Sequence, residues 1–293
     1  MFTALSPTYK GILLALTGYT AFAIADICAK WLAQYYSIYQ IIHIEGLVSL
    51  VILLALSKRL GGSGDFIKNR ANWKIHAMRG ALNFILLALL TYCYKMFPLA
   101  DVYTLLFTKP FFATLLALWF FGDKASKSQW LAMTAGFAGV VIAMRPGTGT
   151  FDPLMLLPLG LTVLIAFLFV SARFLNKPSL FSLGFAPVIG TVILSAPFVA
   201  LTFKMPELAH LPVFLLLGTC ACVGILAISN AFRTAAASVV SPFLYIEMLW
   251  ALVFGYILFN DTPDAWMLTG AAVIIASGIY LIESERRAPP RNP

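Results

Sequence analysis

Two ionisable residues stand in the middle of apolar runs long enough to cross a bilayer. The first is Lys109, in LADVYTLLFTKPFFATLLALWFFGD (99–123), directly before Pro110. The second is Glu247, in ASVVSPFLYIEMLWALVFGYILFND (237–261). A shift of 138 residues superposes the two runs and sets Glu247 opposite Lys109. In this register Val102 meets Val240, Leu106 meets Leu244, Ala113 meets Ala251, Phe121 meets Phe259 and Asp123 meets Asp261. A charge at the bilayer centre costs about 2.5–3.5 kcal/mol on insertion scales, so each marks a candidate functional position. One reading pairs Lys109 with Glu247 as a lock between two halves of the protein. The other sets both in a wet cavity, where Lys109 takes a substrate carboxylate and Glu247 an ammonium. The two are compatible if a zwitterionic substrate competes with the internal pair.

Other candidates surround them. Pro110 and Pro242 would each delete a helical hydrogen bond, free the carbonyls of Leu106 and Ser238, and kink the axis; Ser241 would help satisfy the backbone. Asp26, His43 and Glu45 fall inside the first two apolar runs and are candidate proton-coupling groups. The bland alternative is that they bond to neighbouring helices, and Asp26 and Lys30 are spaced four apart, as an intrahelical ion pair would be. Tyr92, Tyr103, Phe107 and Tyr245 lie close to the central charges, and Phe107 and Tyr245 match in the 138-residue register. They would wall an aromatic cavity. Asn83 and Asn230 would either bind substrate or bridge helices.

These residues need elements to position them. Of 293 residues, 61% are hydrophobic and 11% charged, against roughly 25% charged in soluble domains. Such a chain cannot cover a globule with polar surface, which implies a polytopic membrane protein. Ten apolar runs can be counted, at 10–33, 36–57, 75–97, 99–121, 127–145, 153–175, 180–203, 211–234, 237–259 and 264–283. Each is near the ~20 residues a membrane helix requires and about twice the length of a membrane strand. The expected fold class is all-α integral membrane.

The net charge of +8 is explained by topology rather than by nucleic acid. With the N-terminus inside, Lys10, Lys58, Arg59, Lys68, Arg70, Lys74, Arg79, Lys124, Lys127, Arg173, Lys177, Arg233, Arg286, Arg287 and Arg291 fall on the inner face. Lys30, Lys95, Arg145 and Lys204 fall outside. That asymmetry places both termini in the cytoplasm. The first run has no clear cleavage site and is read as a retained helix. The glycines of the 58–74 loop lack a following Gly-Lys-Ser/Thr, so the loop is a basic linker rather than a phosphate cradle. Tyr35, Tyr36, Trp73, Trp130 and Trp266 fall at span edges, as interfacial aromatics do.

Ten spans in two copies of five imply inverted repeats, since an odd number returns the second copy through the opposite face. Residues 1–146 form the first repeat, 147–283 the second, and 284–293 a disordered cytoplasmic tail. Ala29-Lys30-Trp31-Leu32 ends the first span and Ala172-Arg173-Phe174-Leu175 the sixth, on opposite faces. The substrate site is expected at the midplane, in a central cavity between repeats. Gly136 and Gly139 in the fifth span, and the small residues around Gly270 in the tenth, suggest close-packed structural helices at the periphery. Cys28, Cys93, Cys220 and Cys222 lie in apolar runs with no metal-ligand spacing and read as packing residues.

The two broken charged spans resemble the drug/metabolite transporter superfamily, in its ten-helix form built from two EamA-type repeats. In that family the fourth helix of each repeat often carries Glu-Pro at its centre and ends in Gly-Glu. Here Lys109-Pro110 keeps the Pro, Glu247-Met248 keeps the Glu, and Gly122-Asp123 and Asn260-Asp261 close the helices. The resemblance covers the whole chain. It implies a secondary carrier in a bacterial inner membrane, frequently an exporter of amino acids, aromatic ones included. Other members carry S-adenosylmethionine or nucleotide-sugar-like solutes. The expectation is therefore an alternating-access exporter of aromatic or large neutral amino acids or related metabolites. An S-adenosylmethionine or nucleotide-like carrier is the alternative. The expected partners are a small-molecule substrate, the lipid bilayer and protons, with no nucleic acid, metal or cofactor; the oligomeric state stays open. An integral-membrane enzyme is disfavoured because His43, His76 and His210 are scattered and no HExxH or Gly-x-Ser-x-Gly occurs. A channel is disfavoured because no charge ring or filter motif appears.

Overall fold

The structure, a computed structural model, describes residues 7–62, 72–121, 127–145, 152–175, 178–235, 240, 243–244 and 246–287. The apolar runs become helices because each must satisfy its own backbone polar groups in lipid. They are α1 (Pro7–Leu32), α2 (Ile38–Ala55), α3 (Trp73–Met96), α4 (Leu99–Leu106), α5 (Lys109–Phe121), α6 (Lys127–Met144), α7 (Leu156–Val170), α8 (Leu180–Thr202), α9 (Leu211–Thr234), α10 (Ile246–Phe259) and α11 (Ala265–Arg287). Among the described residues, six stretches are long and apolar enough to cross a membrane, with α4 and α5 together making one of them. Four shorter apolar helices, within α6, α7, α10 and α11, complete ten. The protein is an all-helical, multi-pass membrane protein.

The helices interleave. α1 packs on α9 and α7 on α3; α2 packs on α9 and α8 on α3; α10 packs on α1, and α4 and α5 on α7. Three further pairs are α2 with α8, α6 with α11, and α4 with α10. Exchanging the first five spans for the last five maps every one of these pairings onto another in the set or onto itself.

The fifth and tenth spans, α6 and α11, pack chiefly on each other. Gly139 and Gly270 make this possible. A Cβ on Gly139 would lie 2.9 Å from the Gly270 carbonyl oxygen, and one on Gly270 would lie 2.6 Å from the Gly139 oxygen. Small residues here let two backbones touch, so the small-residue faces are spent inside the molecule. Cys28, Cys93 and Cys222 are buried and all four cysteines are free thiols.

Several expectations change. Helix α11 continues to Arg287, so residues 284–287 of the expected disordered tail are helical; 288–293 lie outside the described residues. Arg79, counted among the inner-face cations, is not a free surface charge. It is buried within α3, where its guanidinium donates to the Leu168 carbonyl (2.6 Å) and Ser171 Oγ (2.9 Å) at the end of α7. Unpaired carbonyls at a helix C-terminus carry partial negative charge, which draws the arginine inward. Tyr36 is also buried, hydrogen-bonded to His210 Nδ1 at 2.7 Å, whereas Tyr35, Trp73, Trp130 and Trp266 are exposed as interfacial residues should be.

Candidate functional site

The fourth span is broken, and the break positions Lys109. α4 ends at Leu106, where Phe107 and Thr108 close it with tight bonds to Tyr103 O (3.0 Å) and Leu105 O (3.1 Å). The Thr108 hydroxyl adds a second donor to the Leu105 carbonyl, at 2.7 Å. α5 then starts at Lys109 with Pro110 in its first turn. There the missing N–H costs nothing, because first-turn donors have no intrahelical partner. The expected kink from an internal proline is therefore a true interruption, with Pro110 starting a helix rather than bending one.

The ninth span repeats this placement. α10 starts at Ile246, with Glu247 in its first turn. In the 138-residue register Ile246 corresponds to position 108, one residue before the start of α5. Ser241, Pro242 and Tyr245 lie outside the described residues. A carboxylate at a helix N-terminus is favoured by the exposed N–H groups, and a cation is not. Lys109 therefore depends on an anion, and Glu247 supplies it: Nζ and Oε2 are 3.6 Å apart, with the side chains 17% and 5% exposed. At that separation the pair is electrostatic rather than a hydrogen bond, and Glu247 Oε2 has no hydrogen-bond partner.

Both residues line a central cavity of about 210 Å³. α1 contributes Asp26, α2 contributes Glu45, and α3 contributes Asn83 and Tyr94. Tyr103 comes from α4 and Ser229 from α9. The ionisable groups in its wall thus include three carboxylates (Asp26, Glu45 and Glu247) and one ammonium (Lys109). Most of the remaining wall is aliphatic. In such a low-dielectric setting each charge acts over a longer range than in water.

The structure sorts the predicted residues. Lys109, Glu247, Tyr103, Asn83, Asp26 and Glu45 meet in this cavity. Asn83 also bridges helices, donating to Thr191 Oγ1 at 2.9 Å. Phe107 is fully buried behind the wall, its ring 6.1 Å from that of Tyr103. His43 lies away from the cavity and bonds to Ser195 Oγ at 2.8 Å, the neighbour-helix alternative. Ser229, not the adjacent Asn230, faces the cavity, and Tyr94 takes the place expected of Tyr92. One helical position rotates a side chain by about 100° and two by about 200°, so neither choice was visible without neighbours.

The local ion pair of Asp26 with Lys30 does not form. The Tyr103 hydroxyl donates to Asp26. Lys30, one turn on, pairs with Asp261 at 2.5 Å and donates to the Phe97 carbonyl at 3.2 Å. Asp261 also accepts from the Leu99 N–H at 3.3 Å. Lys30 lies two residues from the end of α1 and can reach this long-range partner, whereas Asp26, one turn further from that end, lines the central cavity. Among the described residues no group of His, Cys, Asp and Glu side chains is arranged to hold a metal ion.

Known proteins share this architecture. Residues 9–145 match the EamA-like transporter family. The chain is 26% identical to an S-adenosylmethionine uptake transporter of Rickettsia bellii over 90% of both sequences. It is 26% identical to a riboflavin transporter of Vibrio cholerae, over 97% of this chain and 96% of the relative. A pseudopaline exporter of Pseudomonas aeruginosa is 20% identical over 94% of this chain and 97% of its own. A solved crystal structure superposes with a TM-score of 0.62 over 96% of both chains at 16% identity, and so shares the fold. None of these relatives is named for amino-acid export, the function expected first. The stretch 9–145 is thus similar to an EamA-like transporter unit, and the relatives named here are transporters, not enzymes.

Proposed function

We propose that the protein is an alternating-access carrier of metabolites bearing an amino-acid head group, with S-adenosylmethionine as the leading candidate. The observation that carries this reading is the Lys109–Glu247 pair, 3.6 Å apart inside an apolar cavity. A substrate carboxylate would take Lys109 and a substrate ammonium would take Glu247, each replacing the other's partner without leaving a bare charge. Asn83, Tyr94 and Tyr103 would orient the rest of the solute. The similarity to S-adenosylmethionine uptake transporters supports the same class, since that metabolite has an amino-acid head.

The same proposal includes two inverted repeats, 1–146 and 147–283, with both termini cytoplasmic in a bacterial inner membrane. The interchange symmetry of the helix pairings supports it, as does the placement of Lys109 and Glu247 at the start of their helices. Discontinuous helices at a repeat interface are where carriers of this kind bind substrate.

A second reading, a large neutral or aromatic amino acid, is favoured by size. The cavity of about 210 Å³ lies below the ~300–1,000 Å³ usual for drug-sized ligands. S-adenosylmethionine would have to widen it, and separating Lys109 from Glu247 is the movement that would do so. The test is a release assay. Liposomes containing the full chain are loaded with amino acids, S-adenosylmethionine, riboflavin and nucleosides, and effluent is followed by mass spectrometry against Glu247→Gln liposomes. Selective, saturable release of S-adenosylmethionine supports the first reading and selective release of aromatic amino acids the second. Selective release of riboflavin or nucleosides, which lack an amino-acid head, rejects both.

A further inference from the structure

Asp26 and Glu45 enter the cavity from α1 and α2, and neither has a cation of its own among the described residues. Lys30, the nearest in sequence to Asp26, is committed to Asp261. Lys109, which shares the cavity, is committed to Glu247. Asp26 accepts a hydrogen bond from Tyr103. Glu45 is 9% exposed, faces the cavity, and takes part in none of the ion pairs among the described residues. A carboxylate removed from water without a partner is costly, and a second one in the same cavity adds repulsion. A cation entering the cavity relieves both costs.

The wall beside them suits a cation of organic rather than hydrated type. Tyr94 and Tyr103 stack with ring centroids 6.2 Å apart and line the same space. Aromatic faces attract sulfonium, ammonium and guanidinium groups. Resting on the reading that Lys109 and Glu247 take a zwitterionic head, we propose that Asp26 and Glu45 form a second, cation-selecting subsite. The substrate class is then amino-acid metabolites that carry an additional positive charge.

S-adenosylmethionine and S-adenosylhomocysteine differ by one methyl group and the charge on sulfur, so they isolate this subsite. In liposomes containing the wild-type chain, both are tested as competitors of labelled S-adenosylmethionine exchange. The charged compound should compete at least about tenfold better, a factor equal to about 1.4 kcal/mol. In Glu45→Gln and in Asp26→Asn the ratio should fall to within about threefold. Equal competition in the wild type, or a ratio that survives both substitutions, overturns the subsite while leaving the zwitterion reading intact. A ratio that survives while pH-driven accumulation is lost assigns these carboxylates to protons instead, and also overturns it. If wild-type protein exchanges neither compound nor any amino acid, the zwitterion reading fails and the subsite fails with it. Should a variant not fold, thermal shifts of wild-type protein with each compound, and with lysine against norleucine, decide the matter. The charged member of each pair must stabilise more, and equal stabilisation rejects the proposal.

Discussion

Among the ion pairs that join the N-terminal half of this protein to the C-terminal half, Lys30–Asp261 and Lys109–Glu247 are built differently. Lys30–Asp261 is short, at 2.5 Å, and saturated: the lysine also holds the Phe97 carbonyl and lies 4.7 Å over the Phe259 ring, while the aspartate holds the Leu99 N–H. Lys109–Glu247 is longer, at 3.6 Å, and the Glu247 Oε2 that faces the lysine lacks a hydrogen bond. The first lies outside the cavity and has every partner it needs. The second lies in the wall and has partners to gain. A saturated pair stabilises one arrangement of the halves; an unsaturated pair inside a cavity is available to a ligand of matching charge.

This contrast fixes what each pair should do when altered. Lys109→Glu places a fourth carboxylate in the cavity and removes its ammonium. Breaking a buried pair costs about 3–5 kcal/mol, so the yield of folded protein should collapse in size-exclusion profiles. A normal profile would mean that the cavity is wetter and its charges weaker than described. Gly139→Leu forces the α6 and α11 backbones apart. The melting temperature should drop by several degrees, with any remaining transport keeping its substrate selectivity. Lys30→Ala should reduce exchange several-fold and lower stability by about 1–3 kcal/mol, the penalty of leaving a partly buried partner unsatisfied. Its selectivity should match wild type, and an altered substrate ranking would assign Lys30 to the binding site instead. His43→Gln should be mildest. It bonds to Ser195 away from the cavity, so exchange measured at several external pH values should stay within about twofold of wild type, with the proton coupling expected of a histidine in a membrane helix then assigned elsewhere.

Much of this was legible in the chain itself. Ten apolar runs announce ten helices, because lipid leaves the backbone few alternatives. Lys109 and Glu247 stand out because charges inside such runs are expensive. What the sequence could not show was partner choice over long separations. The spacing of Asp26 and Lys30 suggested a local pair, yet Lys30 reaches Asp261, 231 residues away. Pro110 alone predicts a kink; the Thr108 hydroxyl and the tight turn at Phe107 make it an interruption. Arg79 counts by sequence only as an inner-face cation; its capping of α7 depends on a neighbour that only the fold supplies. The aromatic wall was anticipated in kind but not in register, with Tyr94 in place of Tyr92 and Phe107 behind the wall.

The central claim is that the Lys109–Glu247 pair is a substrate-exchangeable contact rather than a strut. The direct measurement is exchange flux of labelled S-adenosylmethionine and labelled aromatic amino acids in liposomes containing equal amounts of folded wild-type, Lys109→Ala or Glu247→Gln protein. The account predicts saturable wild-type flux of at least one of these solutes, and its loss by about a hundredfold or more per folded molecule in both variants. Near-normal flux in both variants would contradict it and remove the pair from the transport mechanism.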